Sequence, residues 1–386
     1  MARVNMSRST GAIARWVFAL PIATGGQAGF GAVESQEASW LMFRGNPQLT
    51  GVAEGSLPNP PALRWKADLP DALSSTAAIT ADAVYVGCED GQLHTFEPGS
   101  GVARWKYQAN SPIRSSPTVH GGMVLFGDEE GILHAVSAAE GKALWTFRTA
   151  GPIYSSPNHA GDRIVFGSYD GFLYCIQAAD GGLLWKWETQ GRVHGAAGIA
   201  GDHAIFAGCD EYLHVVRLTD GQELRKAPLG SVSGSSAALS GPRSYVGTYG
   251  GQVRCVDWEK GAAVWTFEDS QRQFPFVTSA AVSSRSIIIG GRDKRLRSLD
   301  PQTGRVQWEF AAKGRIDSSA VLVDRRAFVG SSDGNLYSVD ADSGKELWRF
   351  EAGAPITASP AVGGGSLIVG TQDGILYCFG SARRPS

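Results

Sequence analysis

Between Trp105 and Trp145 the chain reads WKYQANSPIRSSPTVHGGMVLFGDEEGILHAVSAAEGKALW, and the stretch that follows, to Trp185, repeats its plan. Ten residues after each Trp come Ser115-Ser116-Pro117 and Ser155-Ser156-Pro157. A β-branched and aromatic run then ends in glycine, and a tight turn of the Asp170-Gly171 kind leads into a second run. Such turns join the strands of hairpins. A glycine four residues before the next Trp, Gly141 or Gly181, makes a second turn.

The pattern extends in both directions. Trp65, Trp105, Trp145 and Trp185 lie 40 residues apart, and Trp265, Trp308 and Trp348 continue the series with one step of 43. Arg225 stands where an eighth Trp would fall. A unit of this length made of four short antiparallel strands cannot bury both faces of its sheet, so units must stack on each other. Strand units with glycine turns at this period stack radially. The expected fold is all-β, an eight-bladed β-propeller of four-stranded blades. The last unit ends at Leu376-Tyr377-Cys378-Phe379 with no Trp strand after it, so Leu63-Arg64-Trp65 is expected to supply the missing strand and close the ring.

Composition narrows the function classes. The 386 residues include 50 Gly and 11 Trp, with 35 basic and 37 acidic side chains and a net charge of −2. No basic footprint for nucleic acid and no charged tail is present. Arg3, Arg8 and Arg15 precede a short apolar run, Trp16 to Thr24, and a small-residue stretch ending at Ala28. That order reads as a secretory signal over 1–28, too short to span a bilayer. An arm over 29–62, the propeller over 63–380 and a tail over 381–386 complete the expected organisation. An exported, periplasmic or envelope protein follows. Cys88, Cys175, Cys209, Cys255 and Cys378 form no C-x-x-C and read as small buried strand residues, with Cys88 and Cys209 in one repeat slot and the other three in another.

Asp340-Ala341-Asp342-Ser343-Gly344-Lys345-Glu346-Leu347-Trp348 and Asp300-Pro301-Gln302-Thr303-Gly304-Arg305-Val306-Gln307-Trp308 resemble the tryptophan-docking motif of quinoprotein propellers, the pyrroloquinoline-quinone (PQQ) repeat. The resemblance implies that Trp65, Trp105, Trp145, Trp185, Trp265, Trp308 and Trp348 pack between neighbouring blades. Trp40-Leu41-Met42-Phe43-Arg44-Gly45-Asn46-Pro47, with Thr50-Gly51, is similar to the arm that precedes many exported PQQ-repeat propellers. One branch of that family is PQQ- and Ca²⁺-dependent dehydrogenases. The other, BamB-like branch has the fold without the chemistry and serves as an assembly scaffold. This chain lacks adjacent cysteines, a haem motif and long insertions between blades, which places it nearer the scaffold branch. The resemblance thus implies no cofactor and a monomeric propeller with a protein partner in the cell envelope. A reduced dehydrogenase oxidising alcohols or sugars, with PQQ and Ca²⁺ at the channel mouth, is the alternative, and a carbohydrate-binding accessory protein a third.

Candidate sites lie where the units differ. The position nine after each Trp slot reads Ser74, Arg114, Tyr154, His194, Gly234, Val277, Asp317 and Thr357. Arg114, Tyr154, His194 and Asp317 are expected at one channel mouth, as ligand-binding residues or as drifting loop ends. The two positions after it are small and mostly Ser, which reads as crowding at the axis; no repeat supplies the base a nucleophilic serine needs. Arg225 marks either a tolerated loss or a partner contact. The insertion holding Arg272, Phe274 and Phe276 is a contact segment or a plain loop. His94, His134 and His214 share one slot with Tyr174 and Tyr337, so they are expected to form a strand position and no metal site.

Overall fold

The computed structural model describes residues 39–382. The signal expected over 1–28, the start of the arm and the last four residues lie outside them. Among the described residues no helix is long and apolar enough to cross a membrane.

Among the described residues, thirty-two strands form eight separate four-stranded antiparallel sheets. Seven are consecutive in sequence, and we number them as blades: blade 1 (78–108), blade 2 (118–148), blade 3 (158–188), blade 4 (198–228), blade 5 (238–268), blade 6 (281–311) and blade 7 (321–351). Blade 8 joins the C-terminal strands of 361–380 to Ala62–Asp68, the first strand among the described residues. Trp65 pairs there with Cys378 and Asp68 with Ile375. The ring is closed as the repeat pattern predicts.

Burial follows from the stacking. The second strand of a blade is covered on both faces, so Met123–Gly127 is buried at every residue and reads as a continuous apolar run. The outermost strand is half exposed, and Ala143–Arg148 alternates accordingly. Six of the seven Trp residues of this outer strand, all but Trp348, lie over the glycine turn of the next blade. A Cβ on Gly101 would stand 2.5 Å from the Trp65 ring, and one on Gly344 2.6 Å from Trp308. These glycines also hold φ near +70°, which side chains rarely adopt. Indole N–H groups of Trp65, Trp185 and Trp308 donate to the carbonyls of Pro98, Leu218 and Ala341 in that next blade, at 2.8–2.9 Å. At Arg225 the exposed side chain leaves only its stem near Gly261.

The serine positions have a use beyond small size. Backbone N–H groups of Thr76, Ser116, Ala196, Ser236, Ser279 and Ser319 donate to the hydroxyl of the same slot one blade on, at 2.9–3.0 Å. A belt of blade-to-blade bonds therefore follows the axis over six of the eight junctions, interrupted where Ala196 offers no hydroxyl to blade 3 and between Ser359 and Thr76.

The arm closes one end of the channel. Trp40 exchanges backbone bonds with Ile79 of blade 1, and the carbonyls of Leu41, Pro47, Gln48, Thr50 and Gly51 accept from Val119, Ile199, Leu239, Val282 and Leu322. Asn158 adds a side-chain bond from blade 3 to Pro47. The segment thus visits the inner strands of blades 1 to 7 in order. Trp40, Met42, Arg44 and Leu49 are buried beneath it.

The cysteines need one correction. Cys88 and Cys209 do not share a slot: Cys88 precedes its turn, while Cys209 aligns with Glu89 inside the turn, directly before Asp210. All five are free thiols, and Cys209 is the one that is not fully buried. Burial pushes the thiols of Cys88, Cys175 and Cys255 up to about 12, so they stay protonated.

Candidate functional site: the open mouth of the axial channel

At the end opposite the arm, all eight residues of the position-nine ring line one cavity of about 180 Å³, together with the serine belt and Phe43 of the arm. Arg114, Tyr154, His194 and Asp317 are therefore brought together. Inner strands that converge on an axis place equivalent residues of every blade on one circle.

A second ring, which the sequence reading missed, surrounds the first. It consists of the residue just before each Asp-Gly-type turn: Glu89, Glu129, Tyr169, Cys209, Tyr249, Arg292, Ser332 and Gln372. The signal was available at the same period, since these residues vary beside turns that do not. The two rings bond to each other. Arg114 donates to Glu89 at 2.9 Å and lies 3.2 Å from Glu129. Ser74 also donates to Glu89, at 2.5 Å, and Tyr154 to Glu129 at 3.2 Å. Across the mouth, Asp317 takes Arg292 at 2.7 Å on one oxygen and Arg315 at 3.3 Å on the other.

Between these clusters lies an aromatic quarter. Tyr154 and Tyr169 meet edge to face with centroids 4.6 Å apart, and the Tyr169 hydroxyl lies 2.6 Å from His194 Nδ1. Burial holds His194 below its ordinary value and pushes the Tyr169 phenol up to about 12. The imidazole is thus neutral at pH 7, and it shares one hydrogen bond with the phenol. Gly234 leaves room for Tyr249, which is 44% exposed beside it. Charge is therefore divided around the rim. Blades 1 to 3 carry one carboxylate in excess, blades 6 and 7 one guanidinium in excess, and between them lie the tyrosines, with Arg192 over the Tyr169 ring.

Other expected positions fall elsewhere. Arg272 is exposed and Phe274 is 49% exposed on the insertion, but Phe276 is buried to 2% and is no surface contact. It fills the repeat slot that Leu73, Ile113 and Ile316 fill in other blades, under the glycine that ends the neighbouring strand. The histidine slot proves to be a turn clamp. His94, His214, Tyr174 and Tyr337 each reach an aspartate of their own turn, Asp90, Asp210, Asp170 and Asp333, at 2.8–3.1 Å.

Four overlapping matches, to residues 59–156, 129–265, 210–315 and 292–382, fit the sequence model of the family described as outer membrane protein assembly factor BamB. The chain belongs to this family. No curated protein matches it. Among solved structures, BamB from Moraxella catarrhalis is similar at a TM-score of 0.71 and 17% identity, over 83% of this chain and 100% of that one. Quinohemoprotein alcohol dehydrogenase from Comamonas testosteroni is similar at 0.75 and 13%, over 92% of this chain and 82% of that one. The computationally designed Ika8 protein reaches 0.72 and 17%, over 81% and 98%. At such identities these likenesses establish the eight-bladed fold, which scaffold and enzyme share.

Whether this mouth suits PQQ and Ca²⁺, the alternative raised by the sequence, turns on its donors. Calcium takes six to eight oxygen ligands. The mouth carboxylates Glu89, Glu129 and Asp317 are each already held by arginine, and the space above the serine belt falls below the 300 Å³ at which ligand pockets begin. The donor set does not fit the pair.

Proposed function

We propose that this protein is an exported, non-catalytic scaffold of the cell envelope that docks a protein partner at its open channel mouth. The observation that carries the reading is the divided rim. Glu89, Arg114 and Glu129 face Arg292, Asp317 and Arg315 across a tyrosine quarter, over a cavity too small to enclose a drug-sized substrate. Arranged charges of both signs around exposed aromatics select and orient a partner surface. The partner segment would present a basic end to blades 1 to 3, an apolar or aromatic centre to Tyr154 and Tyr249, and an acidic end to blades 6 and 7. Membership of a family described by an outer-membrane assembly factor supports the same reading.

The test is capture from envelope extract with the wild type and with an Arg292→Glu/Arg315→Glu variant as bait. A protein retained by the first and lost by the second, and weakened by salt, supports the proposal. Identical capture by both baits overturns it, as would saturable binding of PQQ and Ca²⁺ with dye-linked alcohol or sugar oxidation.

A further inference from the structure

Below the mouth, the chemistry of the axis changes from paired charges to donors. The hydroxyl oxygens of Ser116, Ser156, Ser236, Ser279, Ser319 and Ser359 each accept an N–H from the preceding slot of the belt. None of these six hydroxyls donates to a protein group among the described residues, and all six line the axial cavity. Each therefore has a proton to give, and the nearest open direction is the axis.

Arg44 lies on the arm side of this space, behind the cavity wall. It is 1% exposed, and its Nη2 donates at 3.0 Å to the carbonyl of Ala280, one residue beyond Ser279 of the belt. Phe43, its neighbour in the chain, lines the cavity itself. The Arg44 Nε and Nη1 atoms have no hydrogen-bond partner, and no carboxylate pairs with the guanidinium among the described residues. Burial pulls its pKa down to about 9, which still leaves it charged at pH 7. A buried cation without a counter-charge is costly by several kcal/mol, and a guanidinium does not readily shed its proton.

We propose that the axial cavity binds a small oxyanion, phosphate or sulfate or the same group on a larger molecule, encircled by the serine hydroxyls and held by the uncompensated charge of Arg44 behind the wall. The belt supplies convergent O–H donors and the arm supplies the charge, while Asp317, the carboxylate that lines the same cavity, is already held by Arg292 and Arg315. This site lies deeper than the partner surface at the rim and does not depend on it.

The test is thermal unfolding at pH 7 and constant ionic strength, with sodium phosphate replacing sodium chloride between 0 and about 10 mM. The expected result is a saturable rise in Tm, corresponding to about a tenfold shift in the unfolding equilibrium at ten times the dissociation constant. Arg44→Met abolishes the rise. Ser236→Ala with Ser319→Ala, at a slot that is already alanine in blade 4, weakens phosphate binding about tenfold and keeps the test decisive should Arg44→Met fail to fold. O-phosphoserine binding more tightly than inorganic phosphate identifies the group as one carried on a larger molecule; equal binding identifies the free ion. A Tm indifferent to phosphate, sulfate and O-phosphoserine overturns the proposal. So does a rise that is the same in the wild type and in both variants.

Discussion

Trp65 pairs with Cys378, so the first described strand lies hydrogen-bonded beside the last. The same Trp65 reaches the other way, its indole donating to Pro98 of blade 1 at 2.9 Å. One residue thus completes blade 8 and fastens it to blade 1. A closed ring leaves no pair of free edges, and its stability depends on that junction.

Removal of every residue before 66 is expected to abolish cooperative folding, because blade 8 loses its outer strand and the ring its clasp. The milder Trp65→Ala is expected to cost about 3–5 kcal/mol, the usual loss for a buried large aromatic. Circular-dichroism melts of both variants check this. A monomeric truncation that melts like the full chain would show that the ring closes by other means.

Arg225→Trp is expected to stabilise the protein by about 1–2 kcal/mol, since an eighth ring would bury apolar surface against blade 5. Gly261 has the φ of +67° found under the other Trp residues, and the closest atom to a Cβ there is 3.4 Å away, so the seat is open. A higher urea midpoint with an unchanged m-value is the result to look for. A lower midpoint would mean that the blade 4 edge has been reshaped around arginine.

Stability should fall on acidification through His159. Burial, and after it the charge of His120, lowers this imidazole from 6.5 to about 4, and the two rings stack with centroids 4.1 Å apart. A histidine that takes its proton more readily when unfolded stabilises the fold above pH 6.5 and loses that contribution as the pH drops toward 4. His159→Asn is expected to flatten the Tm-against-pH profile in that window. A profile as steep in the variant as in the wild type would place the acid sensitivity elsewhere.

The blades were legible because each one repeats the same packing problem. A Trp must find a glycine, and a strand covered on both faces must be apolar, so the period survives even where Arg225 breaks it. Convergence of Arg114, Tyr154, His194 and Asp317 was legible for the same reason, since one slot in a ring is one height on an axis. Three features escaped. Phe276 was read with its exposed neighbours because the insertion hid the frame, though counting back from Ser279 places it in the buried slot. Glu89, Glu129, Tyr169 and Arg292 were passed over as parts of turns. The course of the arm could not be read at all: its partners are backbone groups of six blades, and such bonds leave no trace in side-chain identity.

That course has a consequence for biosynthesis. Residues 40–53 precede every complete blade, yet Ala53 bonds to Leu322, 269 positions downstream, and the contacts before it step from blade to blade. Trp40 can find Ile79 early, but the segment is not fully seated until blade 7 has been made. Contacts of such long sequence separation form late and slowly. A nascent chain of this protein cannot complete its fold from the front, which keeps it threadable for as long as its carboxyl end is still to come.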